Sequence, residues 1–177
     1  MKSSVVITLV GPDRPGLVES ISRNVESGDG NWTHSRMAHL GGQFAGMLMI
    51  ETDESHVDEL IESLKKLESE GLTVTAVRGQ ADTADAAASN DRGEVISMEL
   101  VGQDRPGIVR HISAALAAHG ANIEELTTEC FSAAMSGETM FRATARLNLP
   151  SQVDVTMIQQ ELEAIALDLM VDLTIGE

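Results

Sequence analysis

Gly11-Pro12-Asp13-Arg14-Pro15-Gly16 and Gly102-Gln103-Asp104-Arg105-Pro106-Gly107 are one turn written twice. Sliding the chain on itself by 91 positions carries the match without a gap from residues 6–31 onto residues 97–122. It pairs Ile21 with Ile112, Ser22 with Ser113 and Asn31 with Asn122. The offset then grows to about 97, aligning Phe44 with Phe141, Ile50 with Leu147, and Leu72-Thr73-Val74 with Leu169-Met170-Val171. The chain is therefore a tandem repeat, with about six extra residues near Ser132 to Gly137 in the second copy. Their small, polar composition between two strand-like runs predicts a longer hairpin loop there.

Each turn joins a strand to a helix. Residues 5–10 alternate as a buried strand, and Leu17, Ile21 and Val25 then recur at helical spacing until Gly28-Asp29-Gly30 stops the helix. Residues 32–40 and 44–52 flank Gly41-Gly42, which predicts a hairpin. Asp53-Glu54-Ser55 then precedes Val57, Leu60, Ile61, Leu64 and Leu67, an amphipathic helix stripe ended by Gly71. Residues 72–77 close the unit as a strand. The order is βαββαβ, an α+β ferredoxin-like unit with two helices on one face of a four-stranded antiparallel sheet. The second copy repeats it, with Ser151 expected to cap its second helix and residues 169–175 as its last strand. The domains are placed at residues 1–78 and 94–177, joined by a linker over 79–93 that holds no large apolar residue and an Ala run with brief helical potential. Units this small bury a low share of their surface alone, so the two copies are expected to pack together.

Composition excludes several classes. The net charge is −16, and the acidity is spread over both halves. Without a basic patch or an aromatic platform, direct nucleic-acid binding is not expected. Anionic membrane surfaces are disfavoured for the same reason, and no apolar run reaches the roughly 20 residues of a membrane span. The N-terminus shows no cleavage-site pattern, and a single cysteine, Cys130, suits a reducing compartment, so a cytoplasmic location is expected. Cys130 reads as an ordinary semi-buried thiol rather than a nucleophile. The spacing of His34, His39, His56, His111 and His119 matches no familiar metal site. Met47 and Met49 read as core filler, with an interface lining as the other reading.

The repeated turn carries what chemistry there is. Gly11 and Gly102 are expected to bend at positive φ, Asp13 and Asp104 to accept from free helix amides, and Pro15 and Pro106 to sit in the first helical turn. Gly16 and Gly107 would let another group come close. The product is a helix N-terminus that suits a carboxylate, beside an Asp that suits an ammonium, a pairing fit for an α-amino acid. A well-capped junction with solvated arginines accounts for the same residues. Asn31 and Asn122, just ahead of the second strand, suit either an amide presented to the same ligand or a left-handed turn. Trp32 stands where the second copy has Ile123, which predicts pockets of unequal volume.

The βαββαβ order, the Asp-Arg-Pro-Gly turn and the pairs Gly30-Asn31 and Ala121-Asn122 resemble ACT domains, regulatory modules that bind amino acids. The resemblance covers nearly the whole chain apart from the linker. It implies a sensor rather than an enzyme, with no cofactor and no metal. The ligand implied is a small amino acid such as glycine, held where one domain's first turn meets the neighbouring domain. The residues it transfers to are Asp13, Arg14, Pro15, Gly16, Leu17 and Asn31, and Asp104, Arg105, Pro106, Gly107, Ile108 and Asn122. It implies a protein partner, a transcription factor or an enzyme, and is compatible with a homodimer. The competing expectation is an interaction module that needs no ligand, or a regulatory subunit of an amino-acid enzyme.

Overall fold

A computed structural model describes residues 1–79, 93–134 and 137–176. The chain divides into two compact units, Met1–Ala86 and Ala87–Glu177. Most of the expected linker, with its Ala run, lies outside the described residues.

The first unit runs β1 (Lys2–Pro12), α1 (Leu17–Ser27), β2 (Asn31–Leu40), β3 (Gln43–Asp53), α2 (Val57–Lys65) and β4 (Thr73–Arg78). Short 3-10 turns precede and follow α2, at Glu54–His56 and Lys66–Glu70. The second unit runs β5 (Glu94–Gln103), α3 (Ile108–Ala118), β6 (Asn122–Ser132), β7 (Thr139–Leu149), α4 (Val155–Leu169) and β8 (Val171–Gly176). The sheets are ordered β2-β3-β1-β4 and β6-β7-β5-β8, and every pairing is antiparallel. Both units are therefore ferredoxin-like.

The cores follow from the two periodicities. Alternate residues Val5, Ile7 and Leu9 of β1 and Leu48 and Ile50 of β3 face Leu17, Ile21 and Val25 of α1 and Val57, Leu60 and Leu64 of α2. Ile96, Met98 and Leu100, with Ile112, Leu116, Ile158 and Leu162, do the same in the second unit. Met47 is not core filler, because it points to the opposite face of β3 from Leu48 and Ile50 and is 54% exposed. Met49 shares that face and is half-buried.

The two hairpins differ as the repeat predicted. Gly41 (φ 58°) and Gly42 (φ 78°) both lie in the left-handed region, as a two-residue hairpin turn requires. In the second hairpin the strands end at the Ser132–Thr139 pair, and beyond it the Ala133 amide donates to Glu138 O at 2.9 Å.

Strand register corrects the alignment of the last strands. Val10 pairs with Thr73, and its repeat mate Val101 pairs with Asp172. Leu72 thus corresponds to Val171, and Gly71 to Met170, an offset of 99 in place of 97. Gly71 (φ 90°) and Met170 (φ 54°) are left-handed at the same place, just after the second helix. The expected Ser151 cap is also displaced. Residues 150–153 form a turn, with the Val153 amide on Pro150 O, and Asp154 caps α4 by accepting from the Thr156 amide at 2.9 Å.

Candidate functional site

The two turns use their glycines in the opposite way from the one expected. Gly11 and Gly102 lie within extended strands, and their lack of a Cβ matters for space. A Cβ on Gly11 would stand 2.7 Å from Gly71 O, and one on Gly102 would stand 2.9 Å from Met170 O and 2.8 Å from Val171 Cα. The chain leaving the second helix crosses over these glycines. Gly16 (φ 87°) and Gly107 (φ 100°) hold the left-handed bend, and they are the N-caps of α1 and α3. Pro15 and Pro106 therefore precede the caps and are outside the helices.

Each turn is pinned to the neighbouring hairpin by one backbone bond. The Asp13 amide donates to Gly42 O at 3.0 Å and the Asp104 amide to Thr139 O at 2.9 Å. Neither aspartate caps its helix: the N-caps are Gly16 and Gly107, and among the described residues no side chain accepts from the first-turn amides of α1 or α3. The first intrahelical bonds run from the Ser20 amide to Gly16 O and from the His111 amide to Gly107 O. The preceding amides of both helices lack intrahelical acceptors and leave a partly positive rim. Leu17 and Ile108 contribute such amides, while their side chains are buried in the cores.

Side chains around the turns are not alike. In the first unit Arg14 Nη2 donates to Glu70 Oε2 at 2.6 Å, and the Ser20 hydroxyl lies 2.8 and 2.9 Å from the two Glu70 oxygens. The Ser20 hydroxyl first, and Arg14 second, hold the Glu70 carboxyl below its ordinary range. Asp13 Oδ2 lies 3.8 Å from His39 Nε2. In the second unit His111 replaces Ser20, and its Nδ1 lies 2.8 Å from Gly107 O. Since a carbonyl only accepts, that nitrogen carries the proton. Leu169 takes the place of Glu70. Arg105 reaches only Gln103 Oε1, at 3.4 Å, and Asp104 forms no ion pair among the described residues.

Asn31 and Asn122 are exposed and open β2 and β6, but at the far end of each sheet. Asn31 pairs with Glu51, whereas the turn's end of the sheet is marked by Leu40 pairing with Gln43 and Gln43 with Pro12. Nine strand residues separate these positions, about 30 Å at roughly 3.3 Å per residue. A single domain thus cannot bring its Asn and its Asp to one ligand. Trp32 and Ile123 pack against the cores at that same far end. They do not set the volume beside the turns.

Cys130 is exposed rather than semi-buried, and it pairs with Phe141 as His39 pairs with Phe44. Among the described residues no cluster of His, Cys, Asp or Glu is placed to hold a metal ion. Among the described residues no helix is long and apolar enough to cross a membrane. Ser20, Glu70 and His111 are the site residues that sequence reasoning missed. The 91-residue offset pairs Ser20 with His111 and held that signal, whereas Glu70 and Leu169 pair only through strand register.

Residues 3–76 match the family model of the ACT domain, and the second unit repeats the element order, sheet order and turn of the first. The first unit is thus matched by the ACT domain model, and the second unit has the same fold. The chain resembles the glycine cleavage system transcriptional repressor of Escherichia coli, with 27% identity over 165 residues, 93% of this chain and 85% of the repressor. A protein from Galdieria sulphuraria of unknown role superposes with a TM-score of 0.86 at 28% identity, covering 100% of this chain and 99% of that one. The crystal structure of a candidate glycine cleavage system transcriptional repressor gives a TM-score of 0.69 at 20% identity over 99% and 97% of the two chains, and shares the fold. The curated relative is a transcriptional repressor and the matched family is a regulatory domain, so neither is catalytic.

Proposed function

We propose that this chain is an amino-acid-sensing regulatory protein that binds a small amino acid at a strand-to-helix turn and passes its state to a protein partner. The observation that carries the reading is the pair of helix N-termini whose amides no side chain caps, each next to an Asp-Arg pair. Such amides favour a carboxylate, and the adjacent aspartate favours an ammonium. Glycine is the first ligand to test, since the Escherichia coli relative is a glycine cleavage system transcriptional repressor. With a net charge of −16, a route through a protein partner, a transcription factor or an enzyme, is better supported than a grip on DNA.

Calorimetry and thermal shift of the purified chain against the twenty amino acids test this. A true ligand raises stability by RT ln(1 + [L]/Kd). No shift from any amino acid at millimolar concentration refutes the sensor reading. It would favour the second reading, a ligand-independent interaction module. One observation speaks for that alternative: Val10, Met47 and Val77 lie exposed on the face of the first sheet away from its helices.

A further inference from the structure

The two turns are nearly identical in sequence, yet what already occupies them differs. At the first turn the Glu70 carboxylate sits on Arg14 and Ser20, so the arginine that a ligand carboxylate would use is already engaged. The carboxylate comes from the end of the 3-10 turn after α2, so it is tethered beside the site. Glu19 adds a further negative charge in the first turn of α1, where it engages Arg23. At the second turn the Glu70 position is Leu169, which offers no competing anion. The first turn of α3 has no acidic residue and carries Arg110 and His111 instead. Within the turn, the first turn of its helix and the partners named for them, the balance is thus Asp13, Glu19 and Glu70 against Arg14, Arg23 and His39 in the first unit, and Asp104 against Arg105, Arg110 and His111 in the second.

Building on the amino-acid-binding reading, we infer that Glu70 is a built-in carboxylate that closes the first turn, so that free amino acid is taken at the second. There the ligand carboxylate meets Arg105 and the uncapped α3 amides, and its ammonium meets Asp104. A free carboxylate at the first turn has to displace one attached to the same chain, whose effective concentration is set by a short tether. At the second turn it displaces only water and a long contact to Gln103.

Titration calorimetry of the full chain with glycine, then with each other amino acid, tests this. The wild type is expected to bind one equivalent per chain. Arg105→Ala should weaken binding about tenfold or more, as loss of a charge-assisted bond does, and Arg14→Ala should leave affinity within about twofold. Glu70→Ala should add a second equivalent, with Arg14 then required for it. If Glu70→Ala fails to fold, Glu70→Gln removes the competing charge while preserving the shape. Two equivalents on the wild type, or a loss in Arg14→Ala equal to that in Arg105→Ala, overturns the inference and leaves the sensor reading intact. No binding by the wild type to any amino acid overturns both.

Discussion

Gly11→Ala and Gly16→Ala, five residues apart in one motif, should destabilise the first unit for different physical reasons. An added Cβ at Gly11 falls 2.7 Å from Gly71 O, 2.8 Å from Leu72 Cδ2 and 3.2 Å from Leu72 Cα. The Leu72 methyl can rotate away, but the Gly71 carbonyl belongs to the chain crossing β1 and must shift bodily. Overpacking of this kind costs about 1–3 kcal/mol, and backbone against backbone belongs at the upper end. The gain from replacing a flexible glycine in the unfolded chain, about 0.5–1 kcal/mol, offsets only part of it. At Gly16 a Cβ meets nothing within 4 Å, yet φ is 87°. The left-handed bend alone costs an alanine about 1–2 kcal/mol, and asparagine much less. Trp32 is the chain's single tryptophan and packs against the first core, so its fluorescence follows that unit through a urea titration. With a slope of about 1 kcal/mol/M for so small a unit, Gly11→Ala should lower the midpoint by roughly 2 M. Gly16→Ala should lower it by about 1 M, and Gly16→Asn should recover most of that loss. Asn at position 11 should be worse than Ala. If Gly16→Asn is as damaging as Gly16→Ala, or Gly11→Ala is neutral, the division of labour between space and backbone angle is wrong.

Met170 occupies the left-handed position that Gly71 fills in the first unit, and its side chain is 67% exposed, so little packing is lost with it. Met170→Gly should stabilise the second unit by about 0.5–1 kcal/mol, the left-handed penalty less the entropy of glycine, read as a higher melting temperature by far-UV circular dichroism. Asp154→Ala should cost about 1 kcal/mol in urea unfolding and Asp154→Ser should restore most of it, because the cap needs only an acceptor for the Thr156 amide. Glu70 sets a pH dependence whose sign follows from its lowered folded-state pKa. Its stabilisation is present above the unfolded value, about 4.3, and is lost as pH falls through the folded one. Melting curves of wild type and Glu70→Gln should therefore be furthest apart near neutral pH and converge in acid; a gap that widens in acid would contradict the Ser20 and Arg14 contacts.

The fold was legible because the repeat doubles every signal and both periodicities are clean. Leu17, Ile21 and Val25 form one helical stripe, and Val5, Ile7 and Leu9 one strand face; all six are buried. Legibility failed where different causes call for the same residue type. Glycine is demanded at 11 for clearance and at 16 for backbone angle, and nothing in the letters separates the two. The Ser151 cap failed because residues 150–153 spend themselves on a turn before α4 begins. The alignment slipped by two residues at the last strands because α2 runs on as a 3-10 turn through Glu70, while α4 is one continuous helix to Leu169. Comparing Leu72 with Leu169 rewarded identity, whereas the hydrogen-bond register pairs Leu72 with Val171.

That slip bears on function, because it hid Glu70. Read locally, Asp13-Arg14-Pro15-Gly16 and Asp104-Arg105-Pro106-Gly107 are the same site, and Trp32 against Ile123 is the visible difference. The structure moves Trp32 to the other end of the sheet and puts a residue 56 positions from Arg14 onto its guanidinium. What an arginine can bind depends on which anion reaches it first, and a tethered carboxylate held by a second donor, Ser20, competes with any free one. Duplication copied the turn. Substitution of Ser20 against His111 and of Glu70 against Leu169 then gave the two copies different electrostatic settings, so under the inference drawn above the occupancy of each turn is decided by residues outside the motif that marks it.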